Sequence, residues 1–558
     1  MFKVFAEIKR KGNTTAHHDC DNASFSFNLV EEGNVIKGVF KAKKDMALSR
    51  IWIKEKMDFS DSDLFFANGY QSWTSSCEFG KNDCLTGETP AAKISKLTYA
   101  MATVFSDYRF AEYGKQGRFH SYTYCYFRKK GERNITLYGS KSERQGYTVF
   151  SVDMNKGEFK IAKDVEGLVL KAGQEYEMFN VIRIDDEFDA AFDKYFFDFV
   201  GTKEPKIKHL SGYTSWYNYF QKINEEIILR DLDGMDRAKD SVNIFQVDDG
   251  YESAVGDWLV PDAKKFPHGM KYIADKIHDK GYLAGIWIAP FSAQTSSKVF
   301  KEHKDWFIKD SETGKPLLGC PGWGLAYTLD IYNPEAREYI AKFFDVFLNE
   351  WGYDMVKLDF LYSQCVQPRN GKTRGEIMCD AVDFLRECCG DKLILGCGVP
   401  LGTCMGIFDA CRISCDANKA YNGDLLNRIK INNEIPSCRF AINNAIFRNH
   451  LDGRAFCNDP DVFFLRDFNI KFTLEQKLLL GKINAICGNV LFVSDDAGRY
   501  DNQTVKYLVD FFDDRDYKVL FAEYESADDV RLDFSENGVK KTLRFNIETG
   551  VSNIMECL

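Results

Sequence analysis

The chain has 558 residues, too many for one hydrophobic core, so two or three domains are expected. Hydrophobic residues make up 45% and charged residues 28%, the mixture of an ordinary soluble globular protein. With 73 Lys plus Arg against 83 Asp plus Glu, the net charge of -10 speaks against nucleic acid or an anionic membrane as partner.

Met1 to Arg10 mixes apolar and charged residues and reads as a first strand, not a secretory leader. No uninterrupted apolar run is long enough to span a bilayer. The run His17-His18-Asp19-Cys20 gathers possible metal ligands, but no CxxC pair supports it and a solvated loop explains it as well; no metal is expected. The 17 cysteines are odd in number and scattered, and include the adjacent pair Cys388-Cys389. That usage reads as reduced thiols and a cytoplasmic protein. Residues 1–200 carry short alternating segments, such as Ser24-Phe25-Ser26-Phe27-Asn28-Leu29 and Ser121-Tyr122-Thr123-Tyr124-Cys125-Tyr126-Phe127. Turn signals separate them, so an N-terminal β-sandwich is expected, with Gly201-Thr202-Lys203-Glu204-Pro205 as linker.

Over residues 206–514 the pattern becomes strand, helix, strand, helix. Eight strands are predicted at 211–216, 243–247, 283–288, 355–358, 393–395, 412–414, 455–457 and 490–493. Helical segments at 269–280 and 334–351 lie between them, the second with Pro334 in its first turn. Eight such units in about 300 residues predict a (β/α)8 TIM-like barrel. Alternation returns in Lys541-Thr542-Leu543-Arg544-Phe545-Asn546-Ile547, so residues 515–558 are expected to form a small C-terminal β-sandwich.

The predicted strand ends carry the chemistry. The fourth strand is apolar yet runs into Lys357-Leu358-Asp359, whose two charged residues are two apart and so share one face. Trp216-Tyr217 ends the first strand, Asp248-Asp249-Gly250 the second, and Trp287 lies in the third. Cys397-Gly398 ends the fifth, and Arg412-Ile413-Ser414-Cys415-Asp416 spans the sixth. Asn458-Asp459-Pro460-Asp461 follows the seventh and Asp495-Asp496 the eighth. Each has a plainer reading: Lys357 and Asp359 as a structural ion pair, Asp248-Asp249-Gly250 as a solvated turn, Trp216, Trp258 and Trp287 as core rings. Asn458-Asp459-Pro460-Asp461 also reads as a helix N-cap, the reading favoured for Asp495-Asp496. Together on one rim they make a polyol site, with carboxylates accepting from hydroxyls, cations donating to them and Trp covering the apolar sugar face. None of the 8 histidines falls at these strand ends, which speaks against a metal-dependent barrel enzyme.

These segments closely resemble glycoside hydrolase family thirty-six, the α-galactosidases of clan D. The matching stretches are Phe245-Gln246-Val247-Asp248-Asp249-Gly250-Tyr251, Gly256-Asp257-Trp258, Lys265-Phe266-Pro267-His268-Gly269-Met270 and Gly285-Ile286-Trp287-Ile288-Ala289-Pro290. Val356-Lys357-Leu358-Asp359, Arg412-Ile413-Ser414-Cys415-Asp416 and Asn458-Asp459-Pro460-Asp461 follow in the same order, and Asn68-Gly69-Tyr70-Gln71-Ser72-Trp73 matches an N-terminal family segment. The resemblance implies a β-sandwich, a catalytic barrel, a C-terminal sandwich, and retaining hydrolysis of terminal α-galactosides with no metal or organic cofactor. It makes Asp359 the nucleophile and Asp416 the acid/base. Asp248, Asp249, Lys357 and Arg412 become sugar contacts, with Trp258 beside them; from the strand-end reading Trp287, Cys397 and Trp216 are expected to contact substrate as well, and Trp73 to line the pocket mouth. Two departures are Ala289-Pro290-Phe291 after the third strand, where many members carry an acidic context, and Ser414-Cys415-Asp416-Ala417-Asn418 around the acid/base. Other clan D activities stay open, namely an α-N-acetylgalactosaminidase, a β-L-arabinopyranosidase or a galactosyltransferase, as does a non-catalytic sugar-binding protein. Lys357 is expected to favour ionised Asp359, and Arg412 to face the sugar and not Asp416. The oligomeric state is open, with monomer or dimer favoured.

Overall fold

The computed structural model describes residues 3–10, 13–17, 21–85, 113–320, 324–423 and 436–558. Of the run His17-His18-Asp19-Cys20, only His17 is within the described residues, at the end of a strand Asn13–His17. Among the described residues, no three or more His, Cys, Asp or Glu are grouped to hold a metal ion, and no helix is long and apolar enough to cross a membrane.

The alternation before residue 200 becomes strands because every second side chain has a core to enter. Phe25–Glu32 and Val35–Ala42 pair antiparallel around Gly33, and Phe25, Phe27, Ile36 and Phe40 are buried. Among the described residues two seven-stranded sheets form this way. Phe40, Phe65 and Phe179 from one and Ile51, Phe150 and Phe159 from the other share a single core.

After residue 209 the strands turn parallel. They are β1 (Leu210–Thr214), β2 (Ile244–Val247), β3 (Leu283–Ile288), β4 (Met355–Leu358), β5 (Leu393–Gly396), β6 (Ala410–Arg412), β7 (Cys457–Asp459) and β8 (Val490–Val493). Each pairs with the next from β1 to β7, and β8 pairs with β1. The chain breaks after β7 at Pro460, which has no N–H for a ladder. It resumes as Val462–Phe463, which pairs with β8. The two ends of the curled sheet are therefore halves of one segment. β6 and β7 lie two residues away from their predicted places. Asp409 and Asn458 look like loop residues but are tied inside the fold, Asp409 by the Ile394 N–H and Arg386, and Asn458 through its Nδ2, which donates to the carbonyls of Arg448 and Cys487. A shift of two keeps every side chain on its expected face.

The expected C-terminal sandwich is instead one three-stranded antiparallel sheet, Tyr517–Tyr524, Asp529–Glu536 and Val539–Asn546. It has too little apolar surface for a second sheet, and its inward residues Val530, Leu532, Phe534, Leu543 and Phe545 join the core of the parallel sheet. The helix Leu474–Cys487 serves as its second layer, with Lys482 bonded to Glu536 and Tyr517.

The first antiparallel layer is fastened to the helix Arg374–Cys389 by one buried ion pair. Arg374 donates from two nitrogens to Asp164 at 2.9 and 3.0 Å, and both side chains are 4% exposed. Removing one partner strands a buried charge. Arg374→Met is therefore expected to lower the free energy of urea unfolding by about 3–5 kcal/mol, and adding Asp164→Asn to recover much of that loss. An unchanged unfolding curve would show that the pair contributes nothing.

Candidate functional site

The C-terminal ends of the parallel strands gather the residues picked out above. Asp248, one residue past β2, is buried, and its Oδ2 accepts from Lys357 Nζ at 2.8 Å, Gln246 Nε2 at 2.8 Å and Thr214 Oγ1 at 3.3 Å. Its Oδ1 accepts the Asp249 N–H. Lys357 on β4 thus spends its hydrogen bond on Asp248, two strands away. It acts on Asp359 only through its charge. Asp249 accepts from Gln221 Nε2 at 2.9 Å, while its Oδ1 is buried without a hydrogen-bond partner. Burial, with Glu252 beside it, raises the Asp249 carboxyl above its ordinary range.

Asp359 extends β4 by one bond, its N–H donating to the Ile288 carbonyl of β3. Phe360 then turns the chain with φ 56°, and its N–H donates to Asp359 Oδ1 at 2.8 Å. Trp287 Nε1 donates to Oδ2 at 3.1 Å. Burial raises the Asp359 carboxyl above its ordinary range; Lys357 and the Trp287 bond oppose that, and the charge of Asp416 adds to it. Trp258 and Trp287 are both core rings, 0% and 2% exposed, in edge contact with centroids 5.9 Å apart. Trp287 is also a site contact through its N–H, whereas the buried Trp258 Nε1 has no hydrogen-bond partner. Cys397, just past β5, is buried, and burial beside Asp359 pushes its thiol far up. Trp216 is on the same rim two residues past β1, half-buried and edge-on to Phe220 at 5.1 Å.

Arg412 does not turn from Asp416 as expected. Its Nη1 donates to Asp416 Oδ1 at 2.8 Å, its Nε to Asp459 at 3.3 Å, and its Nη2 pairs with Asp461 at 2.5 Å. A guanidinium 2% exposed cannot stay solvated by water and takes every carboxylate within reach. Asp416 is the open member of the three, its side chain 38% exposed against 2% and 1% for the others. Asp461 is held at φ 82°, rare for a residue with a Cβ, and its Oδ2 accepts from the Ala417 N–H and Tyr217 Oη, both at 2.6 Å. No helix follows, so Asn458-Asp459-Pro460-Asp461 is not an N-cap. Asp495 is no cap either. It is fully buried against Arg466 and accepts from the Leu465 and Arg466 N–H groups and Tyr500. Tyr217, Asp459 and Asp461 stood on the predicted rim without an assigned role. The signal was an Asp-Pro-Asp at a strand end, which a cap also explains.

The segment Asn68-Gly69-Tyr70-Gln71-Ser72-Trp73 reaches this rim from the antiparallel part of the chain. Buried Arg448 donates to the carbonyls of Gly69, Gln71 and Ser72 and to that of Ile413 beside β6. Ser72 and Val399 exchange backbone and hydroxyl bonds. Trp73 is thereby set edge-on to Phe360 at 5.5 Å and to Tyr362 at 5.8 Å. Gly398 has φ 57°, and a Cβ there would lie 3.1 Å from the Trp73 ring. Only glycine both adopts that backbone and leaves room for the indole.

Residues 214–376 match the family model Melibiase. A curated α-galactosidase of Escherichia coli is 32% identical over 125 residues, 21% of this chain and 17% of that protein. The "A type blood alpha-D-galactosamine galactosaminidase" of Flavonifractor plautii is 28% identical over 160 residues, 27% of this chain and 15% of that one. The matched stretches thus span less than a fifth of either relative. Among solved structures, TtGalA, an α-galactosidase from Thermus thermophilus in complex with p-nitrophenyl α-D-galactopyranoside, superposes with a TM-score of 0.70 at 22% identity, over 92% of this chain and 98% of that one. The family thirty-six α-galactosidase AgaA from Geobacillus stearothermophilus gives 0.61 at 12% identity, over 98% and 78%. Residues 214–376 are thus similar to the Melibiase family model, and the chain shares the fold of these α-galactosidases.

Proposed function

We propose that this protein is a retaining α-galactosidase of the cytoplasm that hydrolyses terminal non-reducing α-D-galactosyl residues by double displacement. In this reading residues 1–200 form a β-sandwich domain, 206–514 a (β/α)8 barrel and 515–558 a C-terminal β-sheet domain. The observation that carries it is the contrast among the rim carboxylates. Asp248, Asp459, Asp461 and Asp495 are consumed by buried partners, whereas Asp359 and Asp416 are only partly buried.

Asp359 attacks the anomeric carbon while the glycosidic C–O bond breaks, and Asp416 gives its proton to the departing oxygen. Water then donates a proton back to Asp416 and its oxygen displaces Asp359, restoring both groups and the α configuration. Trp287 and the Phe360 N–H hold the two Asp359 oxygens, so the carboxylate is oriented before substrate arrives. The spare Oδ1 of Asp249 suits a sugar hydroxyl. The Flavonifractor relative gives a second reading, an α-galactosaminidase.

A panel of nitrophenyl α- and β-glycosides, with and without chelator, separates the two. Release from the α-galactoside in both conditions is expected; release only from the α-galactosaminide, or dependence on a divalent ion, would overturn the first reading. Azide separates the carboxylates. Asp416→Ala should be rescued to the α-galactosyl azide, through two inversions, and Asp359→Gly to the β-azide, through one. The same anomer from both would show that at least one role is wrong.

Trp73 is proposed to line the pocket mouth. Trp73→Ala is expected to raise KM for an α-galactoside about tenfold, the loss of one partly buried aromatic contact, with an unchanged circular dichroism spectrum. Unaltered KM and kcat in the folded variant would place Trp73 outside the site.

A further inference from the structure

The contact between Arg412 and Asp416 poses a problem for an acid/base. Arg412 Nη1 donates to Asp416 Oδ1 at 2.8 Å, while the acid/base reading needs that same carboxyl to hand a proton to the leaving group. The structure does not leave Arg412 with Asp416 alone. Asp459 and Asp461, both 1% exposed, occupy its Nε and Nη2. One cation is shared by three carboxylates, two of them permanently buried. Asp461 also grips the far side of the acid/base loop, since its Oδ2 takes the N–H of Ala417, the next residue after Asp416. The Tyr217 hydroxyl shares that oxygen, and Asn484 Nδ2 fixes the Asp461 carbonyl at 2.9 Å. Among the described residues, other titratable groups that interact with this cluster include Lys357 and Asp359 from β4, Cys397 from β5, Cys415 from the loop after β6 and Cys438 at the start of the helix Cys438–Phe447.

We propose that Asp461 is a positioning residue for proton transfer: with Asp459 it neutralises Arg412, and through the Ala417 N–H it fixes the loop that aims Asp416 at the leaving group. The inference rests on the reading of Asp416 as acid/base. It accounts for an aspartate in a left-handed backbone conformation directly after a proline. Only there does one carboxylate face the guanidinium, the tyrosine and the loop N–H together.

The test is leaving-group dependence in the full-length protein. Asp461→Asn keeps the shape, removes the charge and turns a donor toward Arg412 or Tyr217. For an alkyl α-galactoside, whose departure needs a proton, kcat/KM should fall roughly 100-fold, and for an activated dinitrophenyl α-galactoside less than about fivefold. The double variant Asp416→Ala/Asp461→Asn should be no more selective than Asp416→Ala, because Asp461 acts through Asp416. Equal losses on both substrates, or losses that multiply in the double variant, would overturn the proposal. If Asp416→Ala itself shows no leaving-group dependence, the acid/base reading fails; if it does and Asp461→Asn does not, only this inference fails. Should Asp461→Asn not fold, Tyr217→Phe removes one of the two donors to the same oxygen. It should give the same selectivity at smaller size, and a uniform loss there would equally reject the proposal.

Discussion

Buried cations that must each find a carboxylate on another strand fix the geometry of the rim. Lys357 and Arg412 lie at the ends of β4 and β6, 6% and 2% exposed. Neither keeps enough water to stay charged alone, so each recruits a fixed anion. Lys357 reaches past β3 to Asp248, and Arg412 reaches to β7 and to the segment beyond it for Asp459 and Asp461. The Lys357–Asp248 pair joins strand ends that no backbone ladder links, and Arg412 adds Asp461, beyond the break at Pro460, to the β6–β7 ladder. These pairings also decide which carboxylates are left over. Asp359 is held by an indole N–H and one backbone N–H, and Asp416 by one arm of a shared guanidinium.

A second constraint brings the antiparallel part of the chain into the same place. Arg448 is fully buried and donates to backbone carbonyls of residues 69, 71, 72 and 413 and to Asn68 Oδ1. Asn444 repeats the motif, accepting the Ser76 N–H and donating to the carbonyls of Thr74 and Ile413. The loop that carries Trp73 is thus anchored on the loop that follows Arg412. Any movement of one is felt by the other, since both share the same donors.

Much of this was legible in the sequence. The parallel strands ended in charge where apolar runs should end in turns, and Lys357-Leu358-Asp359 was read onto one face from its spacing alone. Even the misplaced β6 and β7 kept their faces, because each error was two residues. What stayed hidden was the choice of partner. Spacing places Arg412 on the rim but cannot say that β7 will break at Pro460 and present Asp461 to it. Nor does it tell that Asp495 will be sealed against Arg466, because those residues lie 29 apart in the chain. The C-terminal strands alternate as a sandwich does, yet their second layer is a helix from earlier in the chain, which local pattern cannot indicate.

The central claim is that Asp359 becomes covalently bound to the sugar, and trapping that bond tests it most directly. An activated galactosyl fluoride bearing fluorine beside the anomeric centre forms the intermediate faster than water removes it. Intact-protein mass spectrometry should then show one added fluorogalactosyl unit, and peptide mapping should place it on the peptide holding Val356-Lys357-Leu358-Asp359. A label on another carboxylate, or turnover of the reagent with no adduct and a β-configured first product, would contradict the account.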